Sequence, residues 1–167
     1  MQARMKNPAI ILPEALQVLQ SLGECVKNSG VPRALLELVH LRASQINGCS
    51  VCVDLHVRLA KAAGENDERL FAAAAWRGAP YFTDAERAAL ALTEAVTRLI
   101  DRPDPVPDDI YDEAARHFDE RTLAALILAI ASINVWNRLN VATRQIAGEW
   151  FKSADAQKWV EKHAVAR

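Results

Sequence analysis

Residues 37–56 read ELVHLRASQINGCSVCVDLH, from Glu37 to His56. Apolar residues three and four positions apart predict a helix that ends at Gly48. A second helix is predicted to begin at Cys49, directly after this glycine. The stretch therefore predicts two helices joined by a short turn, and it favours an all-helical fold.

The spacing of the two cysteines and the histidine points to redox chemistry. Cys49, Cys52 and His56 are three and four residues apart, so they share one face of the predicted helix. A thiolate at a helix N-terminus is stabilised by the helix dipole and by free backbone N–H groups, which lower the thiol pKa. His56 lies one turn deeper and can take the proton of Cys52, directly or through a water. If the two helices pack as a hairpin, Glu37 meets His56 and orients its imidazole.

The rest of the chain has the same helical periodicity, and good helix formers dominate it. Helix starts are marked by Asn66, by Thr83, which begins a capping-box pattern, and by Asp119. The predicted helices cover residues 13–27, 32–47, 49–63, 66–78, 83–100, 107–117, 120–147 and 154–163. A proline-rich segment at 101–107 is expected to be a stiff connector rather than a domain linker. We therefore predict a compact multi-helix, all-α fold in a single domain, residues 1–167.

The composition fits a globular protein. The chain has 167 residues, of which 51% are hydrophobic and 25% charged, and its net charge is −1. This near-neutral charge gives no reason to expect a nucleic acid or an anionic membrane as partner. The most apolar stretch, residues 123–136, is too short to span a bilayer, and the N-terminus does not read as a secretory signal. We therefore expect a cytoplasmic protein, in a compartment where a close cysteine pair is more often catalytic or metal-binding than structural.

Two other interpretations of the cysteine pair stay open. Cys49, Cys52 and His56 are half of a zinc-binding pattern, but structural zinc normally takes four ligands from two paired groups. Cys25 is the remaining cysteine, and the sequence contains no second CxxC and no HxxxH pattern. We therefore expect neither a bound metal nor a cofactor. The second interpretation is a pair of inert, buried cysteines, which the neighbouring glycine, serine and histidine disfavour.

A glutamate, a CxxC pair twelve residues later and a histidine four residues after the second cysteine resemble the core motif of the alkylhydroperoxidase D (AhpD) family. This family lies within the wider carboxymuconolactone decarboxylase-like superfamily. Glu37, Cys49, Cys52 and His56 match all the spacings, and the segment at 133–140, INVWNRLN, also resembles a subgroup of the family. The resemblance implies an AhpD-like helical domain and a thiol-dependent peroxidase. In such an enzyme Cys52 attacks peroxide and becomes a sulfenic acid, and Cys49 then condenses with it to a disulfide. His56 and Glu37 are the implied proton relay.

The resemblance also implies partners. An external dithiol, in the family sometimes a lipoyl-type adaptor protein, would reduce the disulfide, and the chain would form a homo-oligomer, a trimer or a hexamer. Val51 stands where some relatives carry a second histidine, so this relay differs from theirs. Relatives without the cysteines decarboxylate lactones, and the intact pair argues against that chemistry. The alternatives to an enzyme are a redox-sensing or stress-response oligomeric module and a metal-binding scaffold, neither with sustained turnover.

Five further residues carry weaker signals. Cys25 lies on an apolar helix and is expected to fill core space. His40, three residues after Glu37, is interpreted as a hydrogen-bonded surface or interface histidine. Trp136 is expected to be a core or interface anchor. Asn137 and Arg138 are costly to bury without partners, and contact with a second subunit is the favoured interpretation.

Overall fold

The computed structural model of the protein describes residues 1–99, 103–152 and 156, and in these ranges it is all-helical, with no β-strand. The α-helices are α1 (Pro8–Ile11), α2 (Pro13–Lys27), α3 (Arg33–Ile46), α4 (Ser50–Ala62), α5 (Asp67–Ala72), α6 (Asp84–Thr97), α7 (Asp108–His117) and α8 (Glu120–Thr143). Short 3₁₀ helices follow α5, at Ala73–Gly78, and α8, at Trp150–Lys152. Apart from residue 156, the predicted tail helix at 154–163 lies outside the described residues, as do the first two residues of the predicted connector. The helix predicted to end at residue 100 ends at Thr97. The predicted all-helical fold is confirmed.

The core lies where α3, α6 and α8 meet. These helices supply large side chains that are less than 2% exposed, among them Leu38, Leu41, Leu90, Leu92, Leu126 and Ile130. A second apolar cluster lies between α3, α4 and α5 and includes Trp76 and Phe82. A third and smaller cluster, which we call the cysteine cluster, packs Ala43 and Ile133 against Cys49 and Cys52 at the start of α4. Because α3 contributes to all three clusters, it is the central element of the core.

Local sequence signals explain most of the helix ends. The Thr83 side chain accepts a hydrogen bond from the backbone of Glu86, whose carboxylate binds back to the Thr83 backbone, as the capping-box pattern predicts. Asn66 and Asp119 cap α5 and α8 in the same way from their side-chain oxygens. The predicted end of α8 at residue 147 is wrong. The helix ends at Thr143 because Arg144 adopts a left-handed conformation, with φ of 54°.

The longest helix, α8, extends beyond its apolar stretch at 123–136 in both directions. By length and composition its 24 residues are sufficient to cross a bilayer, with a mean hydropathy of 1.5 in the most apolar window. Half of that window is buried inside the fold. The core helices of globular proteins pass the same test, so this is weak evidence for a membrane span.

An ionic cluster around Glu94 joins α3 to α6. Oε1 of Glu94 accepts hydrogen bonds from Nε of Arg42 at 2.8 Å and from Nε1 of Trp76 at 2.9 Å. Oε2 accepts from Nη1 of Arg77 at 2.7 Å and from Nη1 of Arg98 at 3.1 Å. Burial raises the pKa of Glu94, but these donors outweigh it and lower the pKa to about 2. Glu94 is therefore ionised near neutral pH and paired with permanent cations.

The prediction that Cys25 fills core space is wrong. Cys25 is an exposed free thiol on α2. Of the side chains on this helix, Val26 alone is buried. The face of α2 that packs against the core is therefore narrow, and Cys25 lies outside it.

Candidate active site

The turn between α3 and α4 fixes the start of the helix that carries the cysteines. Gly48 has a φ of +65°, a left-handed conformation that favours glycine. The preceding residue, Asn47, donates hydrogen bonds from Nδ2 to Oδ1 of Asn134 at 2.9 Å and to Oδ1 of Asn137 at 2.8 Å. Asn137 in turn donates to Oγ of Ser44 at 3.1 Å. This asparagine cluster attaches the hairpin turn to α8.

Cys49 and Cys52 lie at the N-terminus of α4 and are joined by a disulfide, with their Cα atoms 5.3 Å apart. Cys49 is the N-cap residue, and its Sγ accepts a hydrogen bond from the backbone N–H of Cys52 at 3.3 Å. The exposed fractions are 1% for Cys49 and 3% for Cys52. Both sulfur atoms therefore lie at the positive end of a helix dipole, where a negative charge is stabilised.

A residue of α8 contacts one of these sulfur atoms directly. Nδ2 of Asn140 donates a hydrogen bond to Sγ of Cys52 at 3.3 Å. The orientation of this amide is fixed from the N-terminus, because Nδ2 of Asn7 donates to Oδ1 of Asn140 at 2.7 Å. Residues 4–7, which we call the N-terminal strap, are also attached to the end of α8, by a backbone hydrogen bond from Arg4 to Thr143 at 2.9 Å. A neutral amide N–H that faces a sulfur atom stabilises the thiolate more than the thiol.

Glu37 and His56 meet across the α3–α4 hairpin. Oε2 of Glu37 lies 2.7 Å from Nδ1 of His56, and the two residues are 5% and 7% exposed. Burial raises the pKa of Glu37, but the imidazoles of His40 and His56 outweigh it and hold the pKa well below its usual range. The carboxylate is therefore ionised and can only accept a hydrogen bond, so Nδ1 of His56 carries the hydrogen.

The same environment keeps His56 neutral. Burial lowers the pKa of His56, and the hydrogen bond to Glu37 opposes this effect without cancelling it. A neutral imidazole with its hydrogen on Nδ1 has a free lone pair on Nε2. His56 can thus accept a proton through Nε2 while Glu37 holds the ring and stabilises the imidazolium that forms.

His40 belongs to this site, which the sequence did not predict. Its ring centroid lies 4.7 Å from that of His56, and its Nδ1 lies 4.0 Å from Oε2 of Glu37, too far for a hydrogen bond. Nδ1 of His40 is buried and has no hydrogen-bond partner among the described residues. The predicted hydrogen bond of His40 is therefore wrong for this nitrogen, and its contact with a second subunit stays a prediction.

The late segment on α8 divides into different roles. Asn137 is 0% exposed and fully engaged within the chain, so the favoured interpretation of subunit contact is wrong for this residue. Trp136 is partly buried and packs against the cysteine cluster, as a core anchor does. Arg138 is exposed and donates to the backbone oxygen of Asn134 at 3.0 Å. Sequence reasoning missed Asn7 and Asn140 as neighbours of the thiol site, since no local spacing links residues 133 positions apart.

Known proteins share both the sequence and the fold of this chain. The sequence profile of the carboxymuconolactone decarboxylase family matches residues 13–95. The chain is 35% identical over 132 residues to the uncharacterized protein YdfG of Bacillus subtilis, which covers 79% of this chain and 88% of YdfG. It is 43% identical over 47 residues to the alkyl hydroperoxide reductase AhpD of Bradyrhizobium diazoefficiens, 28% of this chain and 26% of AhpD. Related sequences thus include an enzyme.

Solved structures extend the similarity to nearly the whole described fold. A crystal structure from Agrobacterium tumefaciens, of a protein of unknown function described as a candidate antioxidant defence protein AhpD, aligns with a TM-score of 0.82 and 34% identity. The alignment covers 87% of this chain and 98% of that chain. The debrominase Bmp8 aligns with a TM-score of 0.72 and 22% identity, over 90% of this chain and 77% of that chain. At this low identity the second likeness concerns the fold alone.

Proposed function

The chain belongs to the carboxymuconolactone decarboxylase family, as an AhpD-like member, and on that premise we propose that it is a thiol peroxidase. It reduces peroxides by cycling Cys49 and Cys52 between dithiol and disulfide. The observation that carries the proposal is the buried hydrogen bond of 2.7 Å between Glu37 and His56. His56 lies four residues after Cys52 on the same helix, α4. An inert cysteine pair has no need of a buried, oriented base beneath it.

The cycle begins at Cys52. His56 takes the thiol proton through Nε2, and Glu37 stabilises the imidazolium. The Cys52 thiolate attacks one peroxide oxygen, the O–O bond breaks, and the products are a sulfenic acid on Cys52 and an alcohol or water that receives the proton from His56. The sulfur loses two electrons and the peroxide gains them. The N–H group of Asn140 supports the negative charge on this sulfur before the attack.

Cys49 completes the cycle. Its thiol condenses with the sulfenic acid, so an S–S bond forms, the S–O bond breaks and one water leaves. An external dithiol then attacks the disulfide, passes two electrons to it and becomes a disulfide itself. The role of donor fits a lipoyl-type dithiol or a small dithiol of the cytoplasm, the compartment in which we place the protein.

A homo-oligomer is part of the same proposal. Three apolar residues of α8, Leu128, Val135 and Val141, are 42%, 40% and 46% exposed. Leu128 and Val135 are seven residues apart, about two helical turns, so they lie on one side of α8, and Val141 lies on a neighbouring side. Light scattering of the purified protein at several concentrations distinguishes a trimer or hexamer from a monomer.

Mass spectrometry of the cysteine-containing peptides tests the chemistry. After reduction, one equivalent of peroxide should convert Cys49 and Cys52 to a disulfide in the wild type, and Cys49→Ser should trap a sulfenic acid on Cys52. Cys25→Ser is the matched control, since Cys25 is an exposed free thiol on α2 and takes no part in the disulfide. If Cys25 oxidises before Cys49 and Cys52, or if both stay reduced in excess peroxide, the protein is not a thiol peroxidase.

Turnover separates the enzyme from a redox sensor. With an excess of dithiol donor, an enzyme consumes many equivalents of peroxide per chain, whereas a sensor reacts once and then stops. Peroxide consumption followed over time, with Cys52→Ser as the blank, distinguishes the two.

A further inference from the structure

We propose that Glu37, His40 and His56 bind one divalent transition-metal ion of the zinc type, and that the bound ion switches the thiol site off. The first part stands on the geometry of the three side chains. The second part rests on the peroxidase function proposed above.

The three side chains have the dimensions of a metal site. One donor atom from each lies within 4.8 Å of a donor atom from both others. Oε2 of Glu37 is 2.7 Å from Nδ1 of His56 and 4.0 Å from Nδ1 of His40. Around a tetrahedral zinc ion with bonds of about 2.0–2.2 Å, donor atoms lie roughly 3.4 Å apart. To hold zinc, the distance from Oε2 of Glu37 to His56 must therefore lengthen and the distance to His40 must shorten, each by less than about 1 Å.

The state of His40 favours a ligand at this place. Its Nδ1 is buried and has no hydrogen-bond partner in the described part of the chain. A buried nitrogen without a partner costs free energy, and a metal ion that shares Glu37 and His56 would supply the missing partner. The 4.7 Å separation of the two imidazole rings brings the second nitrogen ligand within reach.

The donor set also has a definite preference. Two imidazoles and one carboxylate suit zinc and similar borderline ions, and three protein ligands leave one coordination position open. This set contains no cysteine, so it differs from the cysteine-based zinc pattern that the sequence argues against. Nε of Arg33 lies 4.0 Å from Oε1 of Glu37, which leaves Oε2 as the oxygen that faces both histidines.

Metal binding would change the tautomer of His56. In the metal-free site Nδ1 carries the hydrogen and Nε2 is the free base. An ion on Nδ1 takes the lone pair there, and the hydrogen moves to Nε2, which then has no lone pair for the Cys52 proton. Glu37 is engaged by the same ion and no longer orients the ring. The site would bind metal and lose its base in one step.

Calorimetric titration with zinc chloride tests the site without any measurement of activity. We expect one zinc ion per chain in the untagged, metal-free, disulfide-bonded protein, and at least tenfold weaker binding in His40→Gln. The control is His117→Gln, which removes an exposed histidine that lies 3.1 Å from Glu113. A variant with both cysteines replaced by serine should bind as the wild type does. The proposal is overturned if the wild type has no saturable site, or if His40→Gln binds zinc as tightly as the wild type.

A second measurement covers the case in which His40→Gln does not fold. Zinc added to the wild type should shift the NMR signals of the His40 and His56 imidazoles and leave those of His117 in place. A shift of His117 alone would overturn the assignment of the site.

The inhibition is tested separately. One equivalent of zinc should slow peroxide-dependent disulfide formation at least tenfold in the wild type, and this fold inhibition should be smaller in His40→Gln. Absence of any peroxide reaction in metal-free protein would overturn the peroxidase function, while the zinc site would still stand. Zinc binding without inhibition would overturn the switch alone.

Discussion

Glu37 and Glu94 are both buried glutamates, with exposures of 5% and 7%, but their partners differ. Glu94 faces arginines and a tryptophan N–H, which stay charged or donating at every physiological pH. Glu37 faces two histidines, one of which has a nitrogen without a hydrogen-bond partner. A carboxylate whose partners neither gain nor lose a proton near neutral pH is suited to holding helices together. A carboxylate that faces imidazoles is suited to moving a proton or holding an ion.

Exchange of each glutamate for glutamine should separate the two roles by activity. Glu37→Gln should slow the oxidation of Cys52 by peroxide roughly 100- to 1,000-fold, since the imidazolium loses its counter-charge. Glu94→Gln should change the rate per folded molecule by less than about threefold, because Glu94 contacts neither His56 nor the cysteines. Stopped-flow fluorescence reports the step, since Trp136 packs against the cysteine cluster. Equal losses in both variants would contradict the division.

Stability should show the opposite order. Glu94→Gln should lower the free energy of unfolding by about 3 kcal/mol, because Arg42, only 9% exposed, is left without a counter-charge. Glu37→Gln should cost about 1 kcal/mol, since a glutamine oxygen can still accept from His56. Denaturant unfolding of the disulfide-bonded proteins measures both. A larger loss in Glu37→Gln would reverse the comparison.

Acid should act on the two sites in different pH ranges. The pKa of Glu94 falls from an ordinary 4.5 to about 2 on folding, so its contribution is complete above pH 4.5 and is lost as the pH falls toward 2. After allowance for solvent screening, this contribution is roughly 1–2 kcal/mol. The folded pKa of His56 is also lowered, so unfolding is favoured as the pH falls below 6.5. Unfolding midpoints measured between pH 3 and 8 test both effects. In Glu94→Gln the loss of stability below pH 4.5 should be smaller than in the wild type. In His56→Gln the loss of stability that begins below pH 6.5 should be absent.

The smallest effect concerns the amide that faces Cys52. Asn140→Leu removes the N–H donor to the sulfur while keeping the branched shape of the side chain, so the thiol pKa should rise and the peroxide reaction near pH 7 should slow about five- to tenfold. Asn7→Ala leaves the donor in place but frees its orientation, and about a twofold effect is expected. Rates measured against pH would show the change as a displacement of the profile. A rate loss without such a displacement would mean that Asn140 acts on packing alone.

Local signals in the sequence predicted the helices and the shared helix face of Cys49, Cys52 and His56. They did not predict contacts between residues that are distant in the sequence. The capping box at Thr83 and the glycine at 48 act within a few residues, so a single sequence contains them. The meeting of Glu37 with His56 required one further assumption, a hairpin, which the structure contains. Arg98 lies one helical turn from Glu94, but Arg42 is 52 residues away, and no periodicity links it to Glu94. The roles assigned to Cys49, Cys52, His56 and Glu37 stay predictions.

The hydrogen bond from Asn140 to Cys52 joins residues 88 positions apart, and this distance has a consequence for the newly made chain. At a synthesis rate of about 5–20 residues per second, the ribosome needs roughly 4 to 18 seconds to pass from Cys52 to Asn140. During this interval α4 exists while the helix that covers its sulfur atoms does not. The two thiols therefore meet the cellular thiol pool uncovered, and any disulfide formed then arises without the help of Asn140. The N-terminal strap closes later still, so the oldest residues of the chain are among the last to reach their final contacts.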